Sequence, residues 1–180
     1  AAAATVVRVH GSSYRREGTR MLVREDGSYE CALSGGCLEP AVAAAAARVL
    51  ETGEPAVVTY DLADDSIWGL NIGCSGAVDI HIERIDDGEV ITAWLQVLER
   101  GDAAVLVTPL GRASGRRLVR RSGPAVGRLT PAALEADADA EALDRLAAAY
   151  PASATIRLGD TDVFFEVHHA PATLVVFGAG

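Results

Sequence analysis

Two stretches one hundred residues apart decide the fold: "ATVVRVHG" at residues 4–11 and "AVLVTPLG" at residues 104–111. Each is a short run rich in β-branched residues that ends on glycine, the pattern of a strand running into a turn. The segments after them are also alike. "RMLVREDG" (20–27) has its counterpart in "RRLVRRSG" (116–123), and a helix opened by proline comes next in both halves, from Pro40 and from Pro131. "AVDIHIER" (77–84) then resembles "TDVFFEVHH" (161–169) in its alternation. We read a degenerate duplication of a hairpin–helix–strand unit.

Working outward from the first copy, Thr5–Val9 and Met21–Val23 read as strands, and Asp26-Gly27 is a hairpin turn leading to a strand over Ser28–Leu33. A helix follows over Pro40–Glu51, with proline tolerated in the first turn, alanine at the top of the helix scale and Gly53 as its stop. Ala56–Tyr60 and Ala77–Ile85 are strands separated by the long loop "DLADDSIWGLNIGCSG", and a helix over Val90–Arg100 leads to a strand at Ala103–Thr108. The second helix spans Pro131 to about Tyr150. The expected class is α/β: mixed sheets with hairpins and packed helices, in two duplicated lobes. The lobes cover 1–100 and 101–171 and join near residue 100. The ending "ATLVVFGAG" (172–180) has the form of a first Rossmann strand with its phosphate-binding turn, the start of a truncated Rossmann domain. The segment "TLVVF" would be adhesive if unpaired, which predicts homo-oligomerisation or pairing with a sheet edge.

Composition narrows the function. A formal net charge of −9 argues against nucleic acid or an anionic membrane as the main partner. No apolar stretch approaches the length of a membrane span, and "AAAATVVRVHG" does not read as a signal peptide. Three cysteines, Cys31, Cys37 and Cys74, match no zinc spacing, and the odd count fits a reducing cytoplasm better than a disulfide framework. All 16 basic residues are arginine, which reflects GC-rich coding.

The chemistry-bearing residues lie in the first half. "SGGCLEP" (34–40) places Cys37 behind Gly35 and Gly36 at the mouth of a helix. Free N–H groups and the positive dipole end would face such a turn, and an electropositive end favours a thiolate. The same placement equally suits a tight turn around a small buried thiol. Cys74 is framed in the same way by Gly73 and Gly76, and two cysteines in glycine-rich turns could ligate a soft metal that brings most of its own ligands, or receive sulfur. Cys31, within a strand, reads as a small core residue. In "GSSYRREGTR" (11–20), the Ser12 and Ser13 hydroxyls with Arg15, Arg16 and Arg20 suit a phosphate, or form a solvated hairpin loop. Asp61, Asp64 and Asp65 read as solvated acids and Trp68 as a cap on the core. His10 and His81 fall on strands and His168–His169 near a strand end. No histidine is spaced for a hydrolytic metal, and no serine-triad motif is present.

Together, "ATVVRVHGSSYRREGTRMLV", "SGGCLE" and "WGLNIGCSGAVDIHIE" resemble the xanthine dehydrogenase accessory factor family (XdhC/CoxI). The resemblance implies a protein that binds the molybdenum cofactor in its molybdopterin form. It would support sulfuration of the cofactor with a cysteine desulfurase and insert it into a molybdenum hydroxylase such as xanthine dehydrogenase. It makes Cys37 and Cys74 the groups near molybdenum or sulfur, and the Ser12–Ser13–Arg15 loop and the Gly35–Gly36 turn the cradle for phosphate and pterin. Family loops have prolines where this chain has Tyr14 and Glu17, and Glu17 is expected to add negative charge and loosen the loop. The rival expectation is an oxidoreductase using NAD(P) through a complete Rossmann domain. A third is a structural or dimerisation module whose cysteines only pack.

Overall fold

The computed structural model describes residues 1–11, 13, 15–62, 76–85, 87–169, 175, 177 and 178. It is α/β, built on two five-stranded sheets. The first contains β1 (Ala2–His10), β2 (Arg20–Val23), β3 (Tyr29–Glu30), β4 (Ala56–Asp61) and β5 (Ala77–Arg84), with α1 (Glu39–Thr52) between β3 and β4. The second contains β6 (Ala104–Pro109), β7 (Ser114–Arg120), β8 (Val126–Thr130), β9 (Ala154–Leu158) and β10 (Thr161–His168). Helix α2 (Glu89–Arg100) precedes β6, and α3 (Leu134–Ala147) lies between β8 and β9.

The strand orders are β3-β2-β1-β5-β4 and β8-β7-β6-β10-β9, the same arrangement twice. The matched stretches of sequence occupy equivalent places: β1 with β6, β2 with β7, α1 with α3, and β5 with β10. All described pairings are antiparallel, where the sequence reading expected mixed ones. The reason is where the crossovers land. Helix α1 carries the chain from one edge strand to the opposite edge, so β4 runs parallel to β1 but is separated from it by β5. Strands β8 and β9 went unread because each is a brief, weakly alternating edge strand.

Alternation explains the packing. Ala2, Ala4 and Val6 of β1, with Val78, Ile80 and Ile82 of β5, bury against Val42, Ala45, Ala46 and Val49 of α1. The alanines of α1 let its axis lie close to the sheet, and each fully buried valine is worth roughly 1.5–3 kcal/mol. In the second sheet, Leu134, Ala138, Ala142 and Leu146 form one stripe of α3 over Val105, Val107, Val163 and Phe165. Trp94 and Val97 of α2 cover the other side, against Ala104, Leu106 and Leu118. With both faces covered, all six residues of β6 are buried, which is why "AVLV" does not alternate.

Helix α3 is shorter than expected. Leu134 and Glu135 donate to the carbonyls of Pro131 and Ala132, so residues 131–133 form a tight turn before the helix proper. At the other end Ala148 is extended, and a residue preceding proline, as Tyr150 does Pro151, is pushed out of the helical region. Among the described residues no helix is long and apolar enough to cross a membrane.

The face of the first sheet away from α1 meets the second sheet. Thr5 and Val7 are buried there, and the Thr155 hydroxyl donates to the Val7 carbonyl at 2.6 Å. Among the described residues, ion pairs that cross the seam are Arg8–Asp162 at 3.1 Å, Arg20–Glu166 at 2.5 Å and Arg116–Glu83 at 2.6 Å.

Candidate functional site

Strand direction gathers the motif loops. His10, at the end of β1, pairs with Ala77, as does Asp61 at the end of β4. Strand β3 leaves its hairpin in the same direction as β1. The exits of β1, β3 and β4 therefore open at one end of the first sheet, and with them the described residues of the loop 11–19, the turn 31–38, and Leu62 and Gly76. The Leu62 N–H donates to the Gly76 carbonyl at 2.8 Å, closing the base of that segment. Gly73, Cys74, Asp64, Asp65 and Trp68 within it lie outside the described residues, as do Ser12 and Tyr14.

The turn around Cys37 is built from its neighbours. Leu33 and Leu38 are each 3% exposed and pin both ends in the core, while Gly35 and Gly36 stand in solvent and Cys37 is half-buried. Gly36 has φ of 113°, a conformation that favours glycine. The Ser34 hydroxyl donates to Glu39 at 2.7 Å, and the Ser34 N–H donates to the other oxygen of the same carboxylate at 2.7 Å. The Ser34 oxygen in turn accepts from the N–H groups of Gly36, Cys37 and Leu38, at 3.1–3.3 Å. Glu39 is 1% exposed. Burial alone would raise its carboxyl, but the hydrogen bonds from Ser34 and nearby backbone outweigh it and hold the group below the usual carboxylate range.

This corrects the expected picture of free N–H groups facing the cysteine. The helix starts at Glu39, and its positive end is answered by a buried carboxylate and a serine from its own turn. What the turn offers is a half-exposed thiol on a fixed backbone with open space around both glycines. Cys31 also departs from expectation: it is exposed, with φ of 66°, where the chain leaves the two-residue β3.

In the loop 11–19, Ser13 accepts from the Arg15 N–H at 3.3 Å. Glu17 tightens the loop, against expectation, by accepting from the Val9 N–H at 3.2 Å. Arg15 and Arg16 are exposed and make no ion pair among the described residues. Arg20, grouped with them from sequence, points the other way. Its guanidinium bonds Thr5 at 2.9 Å and Glu166 at 2.5 Å, inside the seam.

The sequence reading missed a polar cluster on β5. Asp79 accepts from Thr59 at 2.7 Å, contacts His10 Nε2 at 3.1 Å and pairs with Arg8 at 3.4 Å. Burial pushes the Asp79 carboxyl up, but the Thr59 and His10 hydrogen bonds and the His10 and Arg8 charges leave it lowered overall. His81, 5% exposed, is pushed below its ordinary value chiefly by burial; Glu83 opposes the shift, and Arg116 and Arg20 add to it. The signal was the alternation itself: "VDIHIE" sends Asp79, His81 and Glu83 to one face. That face reads as solvated until a second sheet covers it. Among the described residues no group of three or more His, Cys, Asp or Glu side chains could hold a metal ion.

The His81 shift has a definite sign. Its folded value lies below 6.5, so the unfolded chain binds the proton first. The contribution is complete above that pH and is lost on acidification, by at most about 1.4 kcal/mol per pH unit. Glu166, raised by burial against the Arg20 charge, has the opposite sign. Urea unfolding of the wild type should therefore lose more stability between pH 7 and 5.5 than that of His81→Gln; equal losses would contradict the assignment.

Residues 1–61 match the model of the XdhC and CoxI family, so the N-terminal third carries that family's sequence. Two curated relatives extend the match. The chain is 38% identical over 84 residues to a probable xanthine dehydrogenase subunit of Bacillus subtilis, covering 46% of this chain and 26% of that protein. It is 31% identical over 97 residues to the molybdenum cofactor insertion chaperone PaoD of Escherichia coli, covering 53% and 30%. Among solved structures, a xanthine dehydrogenase of Bacillus halodurans superposes with a TM-score of 0.62 at 32% identity, over 70% of this chain and 40% of that one. The chain thus spans less than half the length of these relatives.

Proposed function

We propose that this protein receives the molybdenum cofactor and delivers it to a molybdenum hydroxylase of the xanthine dehydrogenase type. The observation that carries the reading is the shared opening of the loop after β1 and the turn after β3 at one end of the first sheet, with the Cys37 thiol held half-exposed on a turn fixed by Ser34 and Glu39. The insertion function named for PaoD supports it. In this reading residues 1–100 form the lobe that handles the cofactor and 101–171 the lobe that braces it. Cys37 supplies the sulfur contact, and Cys74 a second. Ser13 and Arg15, with Arg16, take the anionic end of the cofactor; Arg20 is left out, because it is held by Glu166. A cysteine desulfurase would be the source of sulfur for the cofactor while it is held. Because the turn's own N–H groups are engaged by Ser34, the phosphate is assigned to the arginine loop.

A second reading, a component working within an oxidoreductase, is favoured by the names of the two Bacillus proteins. It requires stable association with the enzyme at fixed stoichiometry; a chaperone leaves after transfer.

Anaerobic loading with molybdenum cofactor tests the proposal, counting molybdenum and pterin bound. The wild type should bind stoichiometrically, and Cys37→Ala should lose at least tenfold in affinity, about 1.4 kcal/mol, with its circular dichroism unchanged. A wild-type level of binding by Cys37→Ala would reduce the cysteine to a turn residue. Failure of the folded wild type to bind would overturn the reading.

A further inference from the structure

At the opposite end of the first sheet from the cysteine turn, where β5 ends and α1 gives way to β4, the two sheets leave a cleft of about 540 Å³ between them. We propose that this cleft binds a small phosphate-bearing molecule that bridges the two halves of the protein. Arg84 reaches it from β5, Arg116 from β7 and Arg128 from β8; the acids on its walls are Glu83 and Glu89. Of the lining side chains three are positive and two negative, with Glu25 and Glu135 beside Arg84 and Arg128 outside the cleft, in a chain whose formal charge is −9.

The arginines differ in how firmly they are held. Arg116 is fixed: its Nε lies 3.3 Å and its Nη2 2.6 Å from the Glu83 carboxylate, so that acid is already neutralised. Among the described residues Arg84 pairs with Glu25, at 4.0 Å, with both side chains more than half exposed. Arg128, 85% exposed, meets Glu135 at 3.5 Å, but Glu135 is also engaged by Arg117 at 3.3 Å and by the Leu129 N–H at 3.0 Å. The Arg84 and Arg128 guanidinium groups lie at the surface, where ion pairs contribute little, and the mostly buried Glu135 keeps Arg117 and the Leu129 N–H as partners, so both arginines can turn to a ligand at little cost. Guanidinium forks match phosphate oxygens two at a time, and the volume falls in the range of about 300–1,000 Å³ usual for small-molecule sites. Charged walls disfavour an apolar ligand. The site rests on different residues from the cofactor site, and either proposal can fail without the other.

Calorimetric titration of the whole chain at constant ionic strength tests it, with inorganic phosphate in one arm and adenosine monophosphate in the other. The variants are Arg84→Gln with Arg128→Gln, both exposed and tolerant of change, and Arg48→Gln, exposed on the outer face of α1, as the control. Saturable binding of phosphate alone, weakened at least tenfold in the double variant and unchanged in Arg48→Gln, identifies free phosphate as sufficient. Binding of the nucleotide only, with the same variant pattern, identifies a phosphate ester. Absence of binding in both arms overturns the proposal, as does a double variant equal to wild type or an equal loss in Arg48→Gln.

Discussion

Glu39→Ala is expected to cost about 3–5 kcal/mol of unfolding free energy, more than any change at the exposed glycines or the cysteine beside it. The carboxylate receives two charge-assisted hydrogen bonds from Ser34, each worth roughly 1.5–3 kcal/mol. Alanine removes both, leaves the Ser34 N–H and hydroxyl without their acceptor, and opens a space in a site that is 1% exposed. For a chain of this size, each kcal/mol moves the melting temperature by about 2–4 °C, so the midpoint should fall by roughly 6–20 °C. Glu39→Gln keeps the volume and one acceptor and should lose about half as much. Ser34→Ala should approach the alanine variant, because it removes one of the two hydrogen bonds to a buried carboxylate and releases three backbone N–H groups. Thermal unfolding followed by circular dichroism checks all three; a Glu39→Ala variant within 1 kcal/mol of wild type would mean that the turn is not organised by this carboxylate. The consequence for function comes from the same bonds. Ser34 and Glu39 set the turn that presents Cys37, so folded Glu39→Ala should load less cofactor than wild type.

Local features of this fold were legible in the sequence. Asp26-Gly27 lies in the expected hairpin, a three-residue loop in which Gly27 donates to the Arg24 carbonyl and Arg24 to that of Ser28, and such a turn depends only on its own residues. The alanine-rich α1 and its Gly53 stop are equally local. The internal similarity was legible because both halves place their apolar residues in one order. What could not be read depended on distant partners. Arg15, Arg16 and Arg20 look alike in "YRREGTR", yet Arg20 stands on β2 facing the second sheet, and its partner Glu166 is 146 positions away. Asp79, His81 and Glu83 alternate like any solvated face, and only the second sheet makes that face an interior. Ser34 and Glu39 are the local exception: both stand in "SGGCLEP", but the two bonds from Ser34 to Glu39 depend on the helix beginning one residue before the proline.

Arg20→Gln carries the other large effect, and it separates a residue of the seam from a residue of the site. The Glu166 side chain is 14% exposed, and losing its cation leaves a mostly buried carboxylate without its ion-pair partner. Breaking such a pair from one side costs about 3–5 kcal/mol. Arg15→Gln, on the exposed loop, should stay within about 0.5 kcal/mol of wild type while weakening cofactor uptake. Adding Glu166→Gln to Arg20→Gln should recover part of the loss, since the stranded charge and not the missing contact dominates it. The pH dependence gives a further check. Glu166 is already raised above its ordinary value by burial, so the folded state holds its proton more tightly and the group's contribution declines as pH rises through that raised value. Without the Arg20 charge the value rises further. The destabilisation of Arg20→Gln should therefore be larger at pH 8 than at pH 5, and the double variant should flatten that difference. A stable Arg20→Gln that fails to load cofactor would return Arg20 to the anion loop and disprove its place in the seam.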